Sequence, residues 1–154
     1  TCACRKRALS LQTAQASWRL RVPEECPVQI LGWKDRSIVD LAGLMHDPVL
    51  RQRNGRPAYQ IASLADDVDH GITFIVRGAD LLSSTACQLH LARLLGFARF
   101  TEVRFVHHPL ITDTQGNKLS KSEGASSLKA MREAGGSPES LHAQADAMLH
   151  QWLK

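Results

Sequence analysis

Between Ala58 and Val106 the sequence alternates twice between helical and strand-like spacing, and that alternation narrows the fold more than any other feature. Ile61, Leu64, Ala65 and Val68 fall at i, i+3, i+4 and i+7, so a helix is predicted from about Ala58 to Asp69, ended by Gly71. Ile72-Thr73-Phe74-Ile75-Val76 follows, a nearly continuous apolar run of the kind expected for a strand buried on both faces. A second helix then carries Cys87, Leu91, Leu94 and Leu95 on one side and stops at Gly96, before a strand from Glu102 to Val106. Helix, buried strand, helix, strand is the order of a parallel α/β sheet.

The flanks have a different texture. The segment up to Ser17 is polar and basic. Trp18-Arg19-Leu20-Arg21-Val22 alternates like a half-buried strand, Pro23 to Pro27 reads as a turn, and Val28 to Trp33 reads as a second strand. Lys34-Asp35-Arg36-Ser37 is a further turn, and Val49 to Arg53 is a short strand closed by Asn54-Gly55. Beyond the α/β part, a helix is predicted from Ser126 to Ala134, broken by Gly135-Gly136. Ser137 then caps another helix, with Pro138 in its first position and Leu141, Ala145, Met148, Leu149 and Trp152 on its buried face. The expected organisation is a strand-rich insert over residues 1–48, an α/β part over 49–124 and a helical segment over 125–154.

A chain of 154 residues with 44% hydrophobic content can bury one core. No apolar run reaches the roughly 20 residues of a membrane helix, so no membrane partner is expected. A charged-then-apolar leader is absent at Thr1, which points away from secretion. Net charge is +4 and the pI is near 9.1, a balance that suits a polyanion such as RNA. Of the four cysteines, Cys2 and Cys4 supply two thiolates of a possible zinc site, with Cys26 as a third candidate and no convincing fourth ligand nearby.

Chemistry concentrates in a few places. Gly116-Asn117-Lys118-Leu119-Ser120-Lys121-Ser122-Glu123-Gly124 is a compact cationic loop between glycines, able to close over a triphosphate. Arg77 follows the apolar strand, at the carboxyl end where open sheets bind ligands, and is placed either to grip a substrate carboxylate or to pair with Asp80, Asp66 or Asp67. Tyr59 opens the preceding helix as a ligand donor or an ordinary core-edge aromatic. His107-His108 follows the next strand as a loop pair, and Cys87 reads as a small buried hydrophobe.

Several motifs occur in a fixed order: Arg56-Pro57-Ala58-Tyr59-Gln60, Asp66-Asp67, Gly71-Ile72-Thr73, Val76-Arg77-Gly78-Ala79-Asp80-Leu81-Leu82, Ser84-Thr85, and Lys118-Leu119-Ser120-Lys121-Ser122. The series resembles the second half of the catalytic domain of glutamyl-tRNA synthetases. Arg77-Gly78-Ala79-Asp80-Leu81-Leu82 and Trp18-Arg19-Leu20-Arg21-Val22 are most similar to the short glutamyl-Q-tRNA(Asp) synthetases. The resemblance implies the second half of a Rossmann-like, parallel-sheet class I catalytic domain, with a small strand-rich insert and C-terminal helices. It implies a cytoplasmic ligase whose partners are glutamate, ATP with magnesium as substrate, and tRNA(Asp). It assigns glutamate binding to Tyr59 and Arg77, and ATP binding to Lys118, Leu119, Ser120, Lys121 and Ser122. It makes Lys118 and Lys121 the catalytic cations and Cys2 and Cys4 remnants of a zinc site not expected to be filled.

Three departures accompany it. A His-x-Gly-His element, half of the family's ATP cradle, is missing. The Tyr-x-x-x-Cys part of the zinc site is absent between Cys4 and Trp18. Ala86-Cys87-Gln88 stands where the family usually has Pro-Arg-Gln. Activity is therefore expected of a longer chain and not of this one alone. A fragment of an ordinary glutamyl-tRNA synthetase, or a non-catalytic RNA- or protein-binding module derived from one, remains as an alternative.

Overall fold

The structure, a computed structural model of the chain, describes residues 10–110 and 127–152. Cys2, Cys4 and the loop from Gly116 to Gly124 lie outside the described residues. The described residues form two units, one ending at His107 and the other starting at His108.

The first unit is built on a four-stranded sheet. Its strands are β2 (Pro27–Leu31), β3 (Arg36–Asp40), β5 (Phe74–Gly78) and β6 (Arg104–His108), in the order β3-β2-β6-β5. β2 and β3 form an antiparallel hairpin with Leu31 opposite Arg36, whereas β2 runs parallel to β6 with Leu31 opposite Arg104. The Arg104 N–H donates to the Thr73 carbonyl at 3.1 Å, so β6 begins beside the start of β5, as in a β-α-β unit. The crossover is α3 (Leu82–Leu95), buried from Ser84 through Leu89 and again at Leu91 and Ala92. Leu64 from α2 (Tyr59–Asp69), Val28 and Ile30 from β2, Phe100, and Phe105 from β6 belong to the same core. A separate two-stranded ribbon pairs β1 (Trp18–Arg19) with β4 (Val49–Arg51), and the short helix α1 (Leu41–Leu44) follows β3.

Both α2 and α3 end by the same device. The N–H of Ile72 reaches back to the Asp67 carbonyl at 2.9 Å, and that of Phe97 to Ala92 at 2.8 Å. Gly71 and Gly96 stand between them at φ +62° and +78°, which completes a left-handed helix stop of the Schellman type. These turns move the strands. The helix stop at Gly71 occupies the Ile72 N–H, so β5 runs Phe74–Gly78 instead of the expected Ile72–Val76. A 3-10 turn over Ala98–Glu102 likewise delays β6 by two residues.

Other expectations need correction. β5 is not buried on both faces. It is the last strand of the sheet, and its pleat turns Phe74 and Val76 outward while Arg77 faces inward, with Val76 59% exposed and Arg77 8%. The hairpin turn closes at Asp35, with the Gly32 N–H donating to its carbonyl at 3.0 Å, so Arg36 and Ser37 already belong to β3. That strand was not expected. The strand at Trp18 is only two residues long, because the backbone N–H of Val22 turns to the Asp47 carboxylate at 3.2 Å.

In the second unit, α4 (Leu128–Glu133) is capped by Ser127, whose Oγ accepts from the Ala130 N–H at 3.1 Å. Ser137 caps α5 (Pro138–Trp152) in the same way, accepting from Ser140 at 3.3 Å, as the Ser-Pro pair predicts. The expected apolar face of α5 is only partly covered by the described residues: Leu141 and Met148 are half-buried, Ala145 and Leu149 exposed.

An added Cβ at Gly96 meets nothing within 4 Å, so backbone strain alone opposes Gly96→Ala. The substitution is expected to cost about 1–2 kcal/mol in chemical denaturation, the left-handed penalty of one L-residue. An unchanged midpoint would show that the helix stop relaxes freely.

Candidate functional site

The carboxyl ends of β5 and β6 hold a cluster of buried polar groups supplied by four elements. Arg77 comes from β5, Phe105 and His107 from β6, Ser84, Thr85 and Gln88 from α3, and Gln60 and Tyr59 from the start of α2. Strand alternation puts Phe105 and His107 on one face of β6, where their rings stack with centroids 6.3 Å apart and planes at 12°. On α3, Ser84, Thr85 and Gln88 occupy adjacent turns of a face turned into the protein.

The Arg77 guanidinium lies over the Phe105 ring, 5.2 Å from its centroid, and its Nη1 donates to Gln88 Oε1 at 2.9 Å. Among the described residues it makes no ion pair. Burial draws the Arg77 pKa down from its ordinary value, with Tyr59 and Asp67 opposing that shift electrostatically. The Asp67 carboxyl is pushed up, chiefly by burial, while Arg77 pulls it down. Buried charges are normally paired, whereas the hydrogen-bond partner of this cation is a neutral amide and its support an aromatic face.

The surroundings are hydrogen-bonded across the elements. Gln60 Nε2 donates to Ser84 Oγ at 3.1 Å, and Thr85 Oγ1 lies 2.8 Å from His107 Nε2. Gln60 Oε1 and Gln88 Nε2 are buried with no hydrogen-bond partner among the described residues. Tyr59 is 51% exposed, so its ring stands at the solvent side of the cluster and not in the core.

Of the expected site, Tyr59 lies near enough to Arg77 to act on it electrostatically. The expected ion-pair alternative for Arg77 gives way to Gln88. His107 is not a loop histidine: the late start of β6 places it inside the strand. Gln88, Gln60, Thr85 and Phe105 were not among the expected site residues. Gln60 and Thr85 lay within the quoted motifs, and Thr85 and Gln88 were also signalled as polar residues on a largely apolar helix; Phe105 carried no such signal. A groove of about 560 Å³ lies elsewhere among the described residues, at the amino ends of the strands against Ile72, Thr73, Phe97 and Arg99. None of the Arg77 cluster named above lines it.

Cys26 and Cys87 are both buried, and Cys26 Sγ lies 3.4 Å from His90 Nδ1. Among the described residues, no group of three His, Cys, Asp or Glu side chains is arranged to hold a metal, and no helix is long and apolar enough to cross a membrane.

Residues 5–146 match the family described as tRNA synthetases class I (E and Q), catalytic domain. The chain belongs to that family. As a synthetase chain it is 44% identical over 116 residues to a glutamyl-Q tRNA(Asp) synthetase of Burkholderia cenocepacia, covering 73% of this chain and 38% of the relative. It is 38% identical over 139 residues to glutamate–tRNA ligase 2 of a Jannaschia species, covering 88% of this chain and 29% of that protein. The glutamate-tRNA synthetase crystal structure from Elizabethkingia anophelis superposes with a TM-score of 0.56 at 29% identity, over 69% of this chain and 21% of that one. A glutamate tRNA ligase structure from Elizabethkingia meningosepticum, in complex with its amino acid, superposes equally well. The synthetase chain thus spans less than two fifths of the length of the curated relatives it matches. The α/β fold with parallel strands is that of a class I catalytic domain.

Where the family usually carries an arginine, Cys87 is fully buried, and burial, then Cys26, pushes its thiol up to about 12. A thiol whose folded pKa is raised stabilises the fold fully below its ordinary value of 9.0 and loses that contribution as pH climbs toward 12. Stability of the chain should therefore fall between those pH values, and Cys87→Ala should flatten that slope. Equal slopes in urea titrations of the two proteins at pH 8 to 11 would remove Cys87 as the cause.

Proposed function

We propose that this chain is the substrate-carboxylate and lysine-loop part of a glutamate-activating tRNA synthetase. The observation that carries the reading is the buried Arg77 guanidinium, held by Gln88 and Phe105 and left without a carboxylate partner among the described residues. An incoming glutamate carboxylate supplies the missing counter-charge through a charge-assisted hydrogen bond. Tyr59 adds a phenol at the rim.

In the proposed reaction a glutamate carboxylate oxygen attacks the α-phosphorus of ATP, supplied as its magnesium complex. The bond to the departing pyrophosphate breaks, leaving glutamyl-adenylate, and the glutamyl group then passes to tRNA. No step needs a strong general base. What the protein supplies is position and charge neutralisation. Arg77 orients the amino acid, while Lys118 and Lys121 meet the charge that develops on the phosphates, and Leu119, Ser120 and Ser122 of the same motif bind ATP with them. Zinc has no part in the proposal, since Cys2 and Cys4 alone make an open, weak site.

The catalytic species is a longer polypeptide containing this chain, because the His-x-Gly-His half of the ATP cradle is not in the sequence. The proposed acceptor is the queuosine base of tRNA(Asp), favoured by the higher identity to the glutamyl-Q enzyme. An ordinary glutamyl-tRNA synthetase is the second reading, favoured by the longer stretch matched in the glutamate–tRNA ligase. Transfer of labelled glutamate to queuosine-containing tRNA(Asp) or to tRNA(Glu) separates the two.

The 154-residue chain alone should give no glutamate-dependent ATP–pyrophosphate exchange above a heat-killed control. In the longer form, Arg77→Ala should cost on the order of 2–5 kcal/mol in kcat/KM for glutamate and leave KM for ATP nearly unchanged. Tyr59→Phe should cost about 0.5–1.5 kcal/mol in the same direction. Glutamate parameters unaffected by Arg77→Ala would refute the site. Lys121→Ala should lower turnover by roughly 10²–10³-fold with little change in KM for ATP. The reverse pattern, normal turnover with weak ATP binding, would make the loop a ground-state clamp.

A further inference from the structure

We propose that Gln88 is a positioning residue that fixes the Arg77 guanidinium without discharging it, and that this neutral partner is what makes the site select an anionic substrate group. The inference rests on the reading of Arg77 as the carboxylate-binding residue.

Three observations carry it. The first is geometry. Gln88 Oε1 accepts from Arg77 Nη1 at 2.9 Å while Phe105 supports the guanidinium at 5.2 Å, so one edge and one face are held and the remaining N–H groups stay available. The second is the chemistry of the partner. A carboxylate at position 88 would accept the same hydrogen bond but cancel the charge, whereas an amide accepts it and leaves the full positive charge in place.

The third observation is an energetic conflict. Gln88 is fully buried, and its Nε2 donor has no partner among the described residues. A glutamate there would remove that orphaned donor and give the buried cation a counter-charge, and both changes favour the folded protein. The amide at this position is therefore poorly explained by stability and well explained by a cation kept for a ligand. Asp67 is the competing counter-charge. It acts on Arg77 electrostatically from α2, but the two make no ion pair in the structure. Holding the guanidinium at Gln88 keeps it from being captured by Asp67.

The test compares Gln88→Glu and Gln88→Met in the catalytically active polypeptide that contains this chain. It measures thermal unfolding and the KM and kcat of ATP–pyrophosphate exchange. Gln88→Glu should raise the KM for glutamate by about tenfold or more, with KM for ATP unchanged and melting temperature equal or higher. Gln88→Met keeps the shape and adds no charge, so it should raise the glutamate KM by only about three- to fivefold, through loss of one hydrogen bond. A packing or stability role gives the opposite ranking, with Met the worse and Glu near normal, and that ranking overturns the proposal. If the Glu variant does not fold, the Met variant decides: a normal glutamate KM overturns the proposal, and a raised KM with unchanged kcat supports it. Arg77→Ala serves as the control. If it leaves the glutamate KM unchanged, the function reading and this inference fall together. If it raises KM while Gln88→Glu is normal, this inference falls alone.

Discussion

Burial of α3 is the constraint on which the first unit depends. A helix enclosed from Ser84 through Leu89 has no free face, so every side chain on it must fit a neighbour. Its small and apolar residues, Ala86, Cys87, Leu89, Leu91 and Ala92, share one core with Val28, Ile30, Leu64 and Phe105. The polar residues of this buried stretch are bonded across the fold, Ser84 to Gln60, Thr85 to His107 and Gln88 to Arg77, although Gln88 Nε2 keeps no partner among the described residues. One helix thus performs two tasks. It closes the core and fixes the polar cluster at the carboxyl ends of β5 and β6.

The electrostatic consequence concerns Arg77. Taking a guanidinium out of water is costly, and proteins usually offset that cost with a carboxylate. Here the described surroundings offer an amide and an aromatic ring. Asp67 and Tyr59 act on the charge electrostatically, and in the proposed function the interaction left open is the one the substrate carboxylate makes. Preorganisation of this kind requires rigidity, which the buried stretch of α3 and the central strand β6 provide.

The outer face of the sheet shows the opposite condition. Phe74 and Val76 point outward from β5, and Trp33 packs edge-on against Phe74 with centroids 5.3 Å apart and is itself 59% exposed. These residues belong to a chain that spans 38% of the length of its glutamyl-Q relative. An apolar face of this kind, on an edge strand, fits the proposal that the active species is a longer polypeptide.

The sequence by itself determined the element order of the α/β part, its helix stops and the family. Apolar spacing and the glycines at 71 and 96 are local signals, and local backbone physics obeys them. The cap at Ser137 with Pro138 after it was legible for the same reason. The apolar run put Arg77 at a strand's carboxyl end, and the motifs, read in order, linked Tyr59 with it. The strand bounds were not legible, because the Ile72 N–H is taken by the helix stop and residues 98–102 wind into a 3-10 turn before β6 starts. Nor was β3, whose Arg36 and Ser37 look like turn residues until β2 pairs with them. The tertiary structure alone decided that β5 forms an edge and that Arg77 meets Gln88 in place of an aspartate. Eleven positions separate Arg77 from Gln88 in the chain. Only the crossover from β5 through α3 brings the amide over the guanidinium, and no spacing rule along a single element reports a contact made between two.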